Sequence, residues 1–307
     1  MIGAGDVTEV KSGPAFNKIE QSALVAVMRR DAQKAADYAE RHGVPYWYTD
    51  ADELLRDDSL NAIYIATPPY AHLDYAERAL KRGKMVYVEK PMVMNQEEAK
   101  ALVELVEQYN GKLVVAHYRR EMPYFLKIKE LLQSKIIGES KMVRLVTTKK
   151  KMTDQETWRT DPTISGGGLF HDLAPHQIDF MLTLFGTPLR YTGVSDSSAD
   201  KVSGQILFEK DVLFEGSWFF DTAYDADCCE IYGVNGKITF SFFDNSPIVV
   251  ETANGSDSYA FPLLPHVQEP MIWEVVQYFL GRRDNPCDVR VGQLGIQIMD
   301  SFTIETD

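Results

Sequence analysis

The sequence predicts an α/β domain built on a doubly wound parallel sheet, followed by an α+β domain with a large, mainly antiparallel sheet. Two observations carry this. Over the first 117 residues, short apolar runs rich in Val and Ile alternate with helical periodicity, as when parallel strands are joined by crossover helices. Between residues 190 and 261, strand-like runs follow one another separated only by turns. A chain of 307 residues is most simply two domains, divided here into residues 1–120 and 121–307.

Each element has its own signal. Ala23-Leu24-Val25-Ala26-Val27 reads as a strand, and 32–42 as a helix that Asp31 can cap. Ala62-Ile63-Tyr64-Ile65-Ala66 is the next strand and stops at the breaker Thr67-Pro68-Pro69. A helical pattern over 70–82 ends at Gly83, and the strand Met85-Val86-Tyr87-Val88 follows. Asn95 can cap a helix over 97–109, Gly111 can end it, and Leu113-Val114-Val115-Ala116 is one more strand. Beyond it come a helix over 124–133, a strand over 141–148, and a helix reaching 185 from the turn Gly166-Gly167-Gly168. Strand runs occur at 205–208, 212–214, 218–220, 231–232 and 238–240, with Asn235-Gly236 as a hairpin signal. Helices over 267–280 and after Val291 close the chain.

A net charge of −13 argues against sequence-independent nucleic-acid binding, which needs Lys and Arg to neutralise phosphates. No apolar run approaches the roughly 20 residues of a membrane span, and no secretory signal is visible. Three cysteines, two of them adjacent (Cys228 and Cys229), make neither a disulfide framework nor a metal spacing, so a cytoplasmic setting is expected. His171 and His176 are five apart, not the i, i+4 pair of a helical zinc site, and no metal is expected. Only Met1 and Ile2 precede the first glycine turn, and further N-terminal residues are expected ahead of them.

Three segments carry chemistry. Gly3-Ala4-Gly5-Asp6-Val7-Thr8 fits the first two glycines of a dinucleotide-binding turn, with Thr8 in place of the third. Glu89-Lys90-Pro91 follows a buried-type strand, so it delivers a carboxylate and an ammonium to the C-terminal sheet edge, where open α/β sheets bind ligands. Asp172 and His176 lie four apart and Asp179 three further on, so on a helix they share one face. An imidazole beside a carboxylate is a tunable general acid or base. The glycines ahead of that helix could let a ligand approach the backbone.

Together these segments resemble the oxidoreductase family typified by glucose-fructose oxidoreductase and inositol 2-dehydrogenase. The resemblance runs from Gly3-Ala4-Gly5 through Ala66-Thr67-Pro68-Pro69-Tyr70-Ala71-His72, Gly83 to Pro91, and Trp158-Arg159, to the stretch from Gly166 to Asp179. It implies a Rossmann domain followed by an open-faced sheet domain, and nicotinamide-dependent oxidation or reduction of a sugar, cyclitol or similar polyol. Lys90, Asp172 and His176 match the catalytic positions: His176 would take the hydroxyl proton, Lys90 would hold the reacting oxygen, and Asp172 would orient the imidazole or bind a neighbouring hydroxyl. Gly3, Ala4, Gly5, Asp6, Val7, Ala66, Thr67, Pro68, His72, Glu89 and Lys90 would line the cofactor. Arg119, Trp158 and Arg159 would join Lys90, Asp172 and His176 around the substrate. Tyr259 and His266 are not placed by the sequence.

Two departures from the family pattern matter. Thr8 in place of the third glycine would slightly loosen strand–helix packing. Val27-Met28-Arg29-Arg30 ends the second strand with arginines where an NAD enzyme would carry an acid for the ribose 2′-hydroxyl. NADP(H) is therefore the favoured cofactor and NAD(H) the alternative. Two other classes stay open: a glycosidase that retains its nicotinamide, and a non-catalytic nucleotide or sugar sensor. A homodimer or homotetramer through the C-terminal sheet is expected, because a large uncovered apolar face seeks a partner.

Overall fold

The protein is described here by a computed structural model covering residues 1–150 and 162–303. Its backbone contacts form two units, Met1–Arg119 with Leu264–Leu294, and Arg120–Leu263 with the residues from Gly295 on. The segment 264–294, expected in the second domain, groups instead with the first unit.

In the first unit the glycine turn leads into α1 (Asp6–Val10) and a 3-10 turn, Gly13–Asn17. Then come β1 (Ala26–Met28), α2 (Ala32–His42), β2 (Tyr46–Tyr48), α3 (Ala51–Arg56) and β3 (Ala62–Ile65). A 3-10 turn, Pro69–Ala71, leads into α4 (His72–Leu80), β4 (Met85–Val88), α5 (Gln96–Gln108) and β5 (Leu113–Val115). All the strand pairs are parallel: β1 with β2, β3 with β4, and β4 with β5. Ile2 joins the two sets by bridging Met28 on one side and Ile65 on the other. One residue therefore does the work of the central strand, and the strand order reverses at it, so the glycine turn leaves the sheet where doubly wound folds bind ligands. Buried Ile63, Val86, Val88, Val114 and Val115 suit strands covered on both faces.

Caps set the helix starts. Asp31 accepts from Lys34 N, and Asp50 from the amides of Asp52 and Glu53. Asn95 accepts from Glu98 N at 2.9 Å while Glu98 reaches back to Met94 N at 3.0 Å, a near relative of the capping box. The segments α1, β2 and α3 are not anticipated by the sequence patterns, being too short to show a period.

The second unit opens with α6 (Pro123–Gln133), β6 (Ser140–Lys150), α7 (Pro162–Ser165) and α8 (Gly168–Phe185). Seven strands follow: β7 (Pro188–Ser195), β8 (Lys201–Phe208), β9 (Leu213–Thr222), β10 (Ala226–Gly233), β11 (Gly236–Phe240), β12 (Ile248–Thr252) and β13 (Gly255–Tyr259). The eight-stranded sheet has the order β13-β12-β11-β10-β6-β9-β8-β7, and only β6 with β9 is a parallel pair. The runs expected at 212–214 and 218–220 are one strand, β9, because Gly216 has no side chain to fill the space that Trp218 and Phe214 occupy. The hairpin turn is Val234-Asn235, one residue earlier than Asn235-Gly236, since Gly233 pairs with Gly236. One sheet face is core: Val202, Ile206, Phe214 and Trp218 are buried, and Trp218 meets Phe170 and Phe302. On the other face Val194 and Phe219 are exposed.

The segment that returns to the first unit carries α9 (Glu269–Phe279) and the start of α10 (Val289–Thr303). Lys112 Nζ donates to the carbonyls of Tyr278 and Phe279, and Asn285 to that of Leu113, which fastens the segment beside β5. Among the described residues no helix is long and apolar enough to cross a membrane.

Candidate active site

The nucleotide turn is tightly built. Gly3 adopts φ 91°, and a Cβ there would lie 2.8 Å from the carbonyl group of Ala66, so only glycine fits against the Thr67 loop. A Cβ on Gly5 would meet nothing within 4 Å, which leaves free space over the turn. Thr8 does not loosen the packing. It is fully buried, its Oγ1 donates to Gly5 O at 2.7 Å, and its own carbonyl accepts from Tyr38 OH at 2.8 Å. Close approach is instead provided by Gly13, where a Cβ would sit 2.3 Å from Thr8 O. Arg29 folds back onto the turn, with Nη1 donating to Ala4 O at 2.6 Å, while Arg30 is exposed. Asp6 is exposed, Ala4 buried and Val7 half-buried.

The Glu-Lys-Pro segment splits in two. Glu89 is buried and accepts on Oε1 from Tyr64 OH at 2.5 Å and from Gln268 Nε2 at 2.6 Å. Its other oxygen takes the Lys90 amide at 3.2 Å, and Gln268 Oε1 accepts from Tyr87 OH at 3.0 Å. Burial, then the Glu89 charge, pushes the Tyr64 and Tyr87 phenols well above their ordinary values, so both remain donors. The Glu89 carboxylate is therefore committed beneath the strand end rather than presented to a cofactor, and the half-buried Lys90 is fixed through its backbone.

His72 is likewise a brace. It is completely buried, with Nε2 2.7 Å from Thr67 O and Nδ1 3.0 Å from Pro91 O. Burial lowers its pKa to about 4 against the pull of the backbone carbonyls, so the ring is neutral. It packs between the Thr67 loop and the Lys90 loop with its single N–H donated to one of the two carbonyls. Ala66, Thr67 and Pro68 are half-buried, and the Thr67 hydroxyl oxygen is enclosed without a hydrogen-bond partner. Free space over Gly5 and an unpaired buried hydroxyl on the loop that packs against Gly3 suit a bound nucleotide.

In the second unit, α8 carries the other candidates. The space above Gly167 is filled by the protein itself, since a Cβ would fall 2.0 Å from His171 Nδ1, and that nitrogen is 3.1 Å from Gly167 O. Gly167 therefore seats His171 rather than a ligand, whereas a Cβ on Gly168 would meet nothing within 4 Å, and burial lowers the pKa of the His171 ring. Asp172 is half-buried and His176 is 5% exposed. Asp179 leaves the trio: it binds Arg120 through both carboxylate oxygens, and both side chains are nearly buried. Gln177, fully buried, donates to Thr147 Oγ1 at 2.7 Å and accepts from Trp218 Nε1 at 2.6 Å, which anchors α8 on the sheet.

Lys90 belongs to the first unit and Asp172 and His176 to the second. Half-buried Arg119 lies with its guanidinium 5.5 Å from the centre of the Tyr118 ring. Trp158 and Arg159 lie outside the described residues. His266 sits in the first unit with Nδ1 2.5 Å from Val10 O, and Tyr259 in the second with Lys127 Nζ 4.8 Å above its ring. The sequence reading missed Gln268, which carries no local signal. Tyr64 and Tyr87 did carry one, as the polar-tipped aromatics in otherwise aliphatic buried strands. Among the described residues no group of three or more His, Cys, Asp or Glu could hold a metal ion.

A glycine turn at the switch point of a parallel sheet is the mark of a nucleotide-binding unit, and Lys90 follows β4, separated from the turn's strand by β3. Residues 1–117 match the oxidoreductase family model with an NAD-binding Rossmann fold, and residues 125–239 match the GFO/IDH/MocA C-terminal domain. The chain is 49% identical over 311 residues to an oxidoreductase of Formosa agariphila, covering 98% of this chain and 97% of that one. It is 27% identical over 277 residues to the inositol 2-dehydrogenase of Rhizobium meliloti, covering 86% and 80%. Levoglucosan dehydrogenase, solved with NADH and levoglucosan, shares the fold with a TM-score of 0.84 at 20% identity, covering 98% and 94%. The chain belongs to the GFO/IDH/MocA oxidoreductase family.

Proposed function

We propose that this protein moves a hydride between NADP(H) and a carbinol or carbonyl carbon of a sugar, cyclitol or similar polyol. The observation that carries the reading is Lys90 at the C-terminal end of β4, its backbone fixed by Glu89. The bound nicotinamide supplies hydride acceptance or donation. In the oxidative direction His176 takes the hydroxyl proton and the Lys90 ammonium stabilises the charge that grows on the oxygen. Asp172 orients the imidazole or holds a neighbouring hydroxyl, and Arg119, Trp158 and Arg159 complete substrate recognition. The inositol and levoglucosan dehydrogenases among the relatives support a hydroxylated small molecule.

Preference for NADP(H) over NAD(H) is supported by Arg29 on the Ala4 carbonyl, by exposed Arg30, and by Asp31, whose carboxylate is used in capping α2. A guanidinium pairs well with a 2′-phosphate. A homodimer or homotetramer through the second unit's sheet is supported by exposed Val194 and Phe219 on the face opposite the core.

The test is a screen of oxidised and reduced NAD and NADP against sugars, cyclitols and ketoses, followed by nicotinamide absorbance. Turnover of a polyol that is lost in His176→Asn supports the reading. Nucleotide binding with no turnover of any hydroxylated or carbonyl compound would leave a sensor instead.

A further inference from the structure

The loop between β11 and β12 is held far more firmly than a connecting loop needs. Asp227, at the start of β10, accepts three consecutive backbone amides on its carboxylate: Phe242 N at 3.1 Å, Phe243 N, and Asp244 N at 3.1 Å. The loop is pinned again where Ser241 N donates to Tyr124 OH at 3.1 Å and where Asn245 Nδ2 donates to Phe261 O at 3.1 Å. Phe242 sinks into the core against Phe125, Phe180 and Phe240. Its neighbour Phe243 stays half-buried and meets the His176 imidazole edge to face, with ring centres 6.1 Å apart and planes at 67°.

We propose that Asp227 and Phe243 are positioning residues for His176. Asp227 fixes the turn, the turn fixes the Phe243 ring, and the ring restricts the imidazole to one orientation. An aromatic neighbour suits that task, because edge-to-face contacts are directional and leave the imidazole nitrogens to other partners. A base works only when it is held within reach of the proton it takes, so a loosened ring lowers turnover while leaving nucleotide binding intact. The inference rests on the reading of His176 as proton acceptor.

The test is carbon–proton NMR of the full-length chain with labelled histidine rings, with the His176 peak assigned by its loss in His176→Asn. Phe243→Leu is expected to move the His176 peak while the other five histidines, of six in the chain, stay in place. It is also expected to lower kcat on the compound the screen identifies while NADPH affinity stays within a few-fold. An unchanged kcat overturns the positioning role even if the peak moves, because loss of the ring current alone can move it. Asp227→Ala, which frees the turn, is expected to move the same peak, and Asp227→Asn, which keeps one acceptor oxygen, to restore it in part. Should Asp227→Ala fail to fold, Phe243→Leu decides alone. A His176 peak unmoved in Phe243→Leu overturns the proposal. A moved peak together with full turnover in His176→Asn leaves the geometry standing and overturns the role of His176 as proton acceptor.

Discussion

Gln268 and Glu89 are 179 residues apart in the chain and share one of the shortest buried hydrogen bonds in the first unit, 2.6 Å from Nε2 to Oε1. The bond is one of several that hold the segment 264–294 on the nucleotide unit. Buried carboxylate oxygens need hydrogen-bond partners, and the strands below Lys90 offer Tyr64 and one backbone amide. The returning segment brings the third donor.

Gln268→Leu removes that donor and strands the Tyr87 hydroxyl. The variant is expected to lose about 1–3 kcal/mol of stability, the cost of buried polar groups left unsatisfied. Denaturant unfolding of the full chain measures it, and an unchanged midpoint would show that water replaces the amide.

The fold was largely legible because long elements announce themselves. The Asp31 and Asn95 caps and the breaker after Ala66 lie where local patterns put them, while in the second unit two expected runs merge into β9 and the strands β7, β12 and β13 lie outside the expected runs. Short pieces did not announce themselves: α1 spans five residues and β2 three, below any period. Within the site, Glu89 and His72 were recognisable by motif, yet their inward direction was not. That direction depends on Tyr64, Gln268 and the Thr67 carbonyl, which reach them through tertiary packing. Asp179 shares a helical spacing with Asp172 and His176, and Arg120 claims it for the same reason.

His72 makes stability fall in acid. Its folded pKa is lowered from 6.5 to about 4, so above pH 6.5 both states are neutral and nothing is lost. Between pH 6.5 and about 4 the unfolded chain takes up a proton that the folded chain refuses, which removes on the order of 3 kcal/mol. His171, lowered by burial too, acts in the same direction. Unfolding free energies at pH 7 and pH 5 are expected to differ less in His72→Gln than in the parent chain.

Asp179→Ala leaves the Arg120 guanidinium nearly buried without its carboxylate. Breaking such a pair costs about 3–5 kcal/mol, and a marked drop in melting temperature is expected. A drop no larger than that of a surface substitution would mean that Arg120 turns out to solvent.

Cofactor choice tests Arg29 and Arg30. Calorimetric titration is expected to give tighter binding of NADPH than NADH by about tenfold, as roughly 1.4 kcal/mol from one charged contact provides. The double change Arg29→Asp, Arg30→Ser is expected to erase or reverse that preference. Equal or tighter binding of NADH to the unmodified chain would assign both arginines to the turn and the surface.

Lys90→Ala, assayed on the compound the screen identifies, bears on the catalytic proposal above all other measurements. The expected result is a loss of about two to three orders of magnitude in kcat, because charge stabilisation at the reacting oxygen disappears. NADPH affinity, read in parallel by titration, is expected to stay within a few-fold of the parent, since the glycine turn and the Thr67 loop remain. Near-normal kcat in Lys90→Ala would contradict the assignment of Lys90 as the group that holds the reacting oxygen.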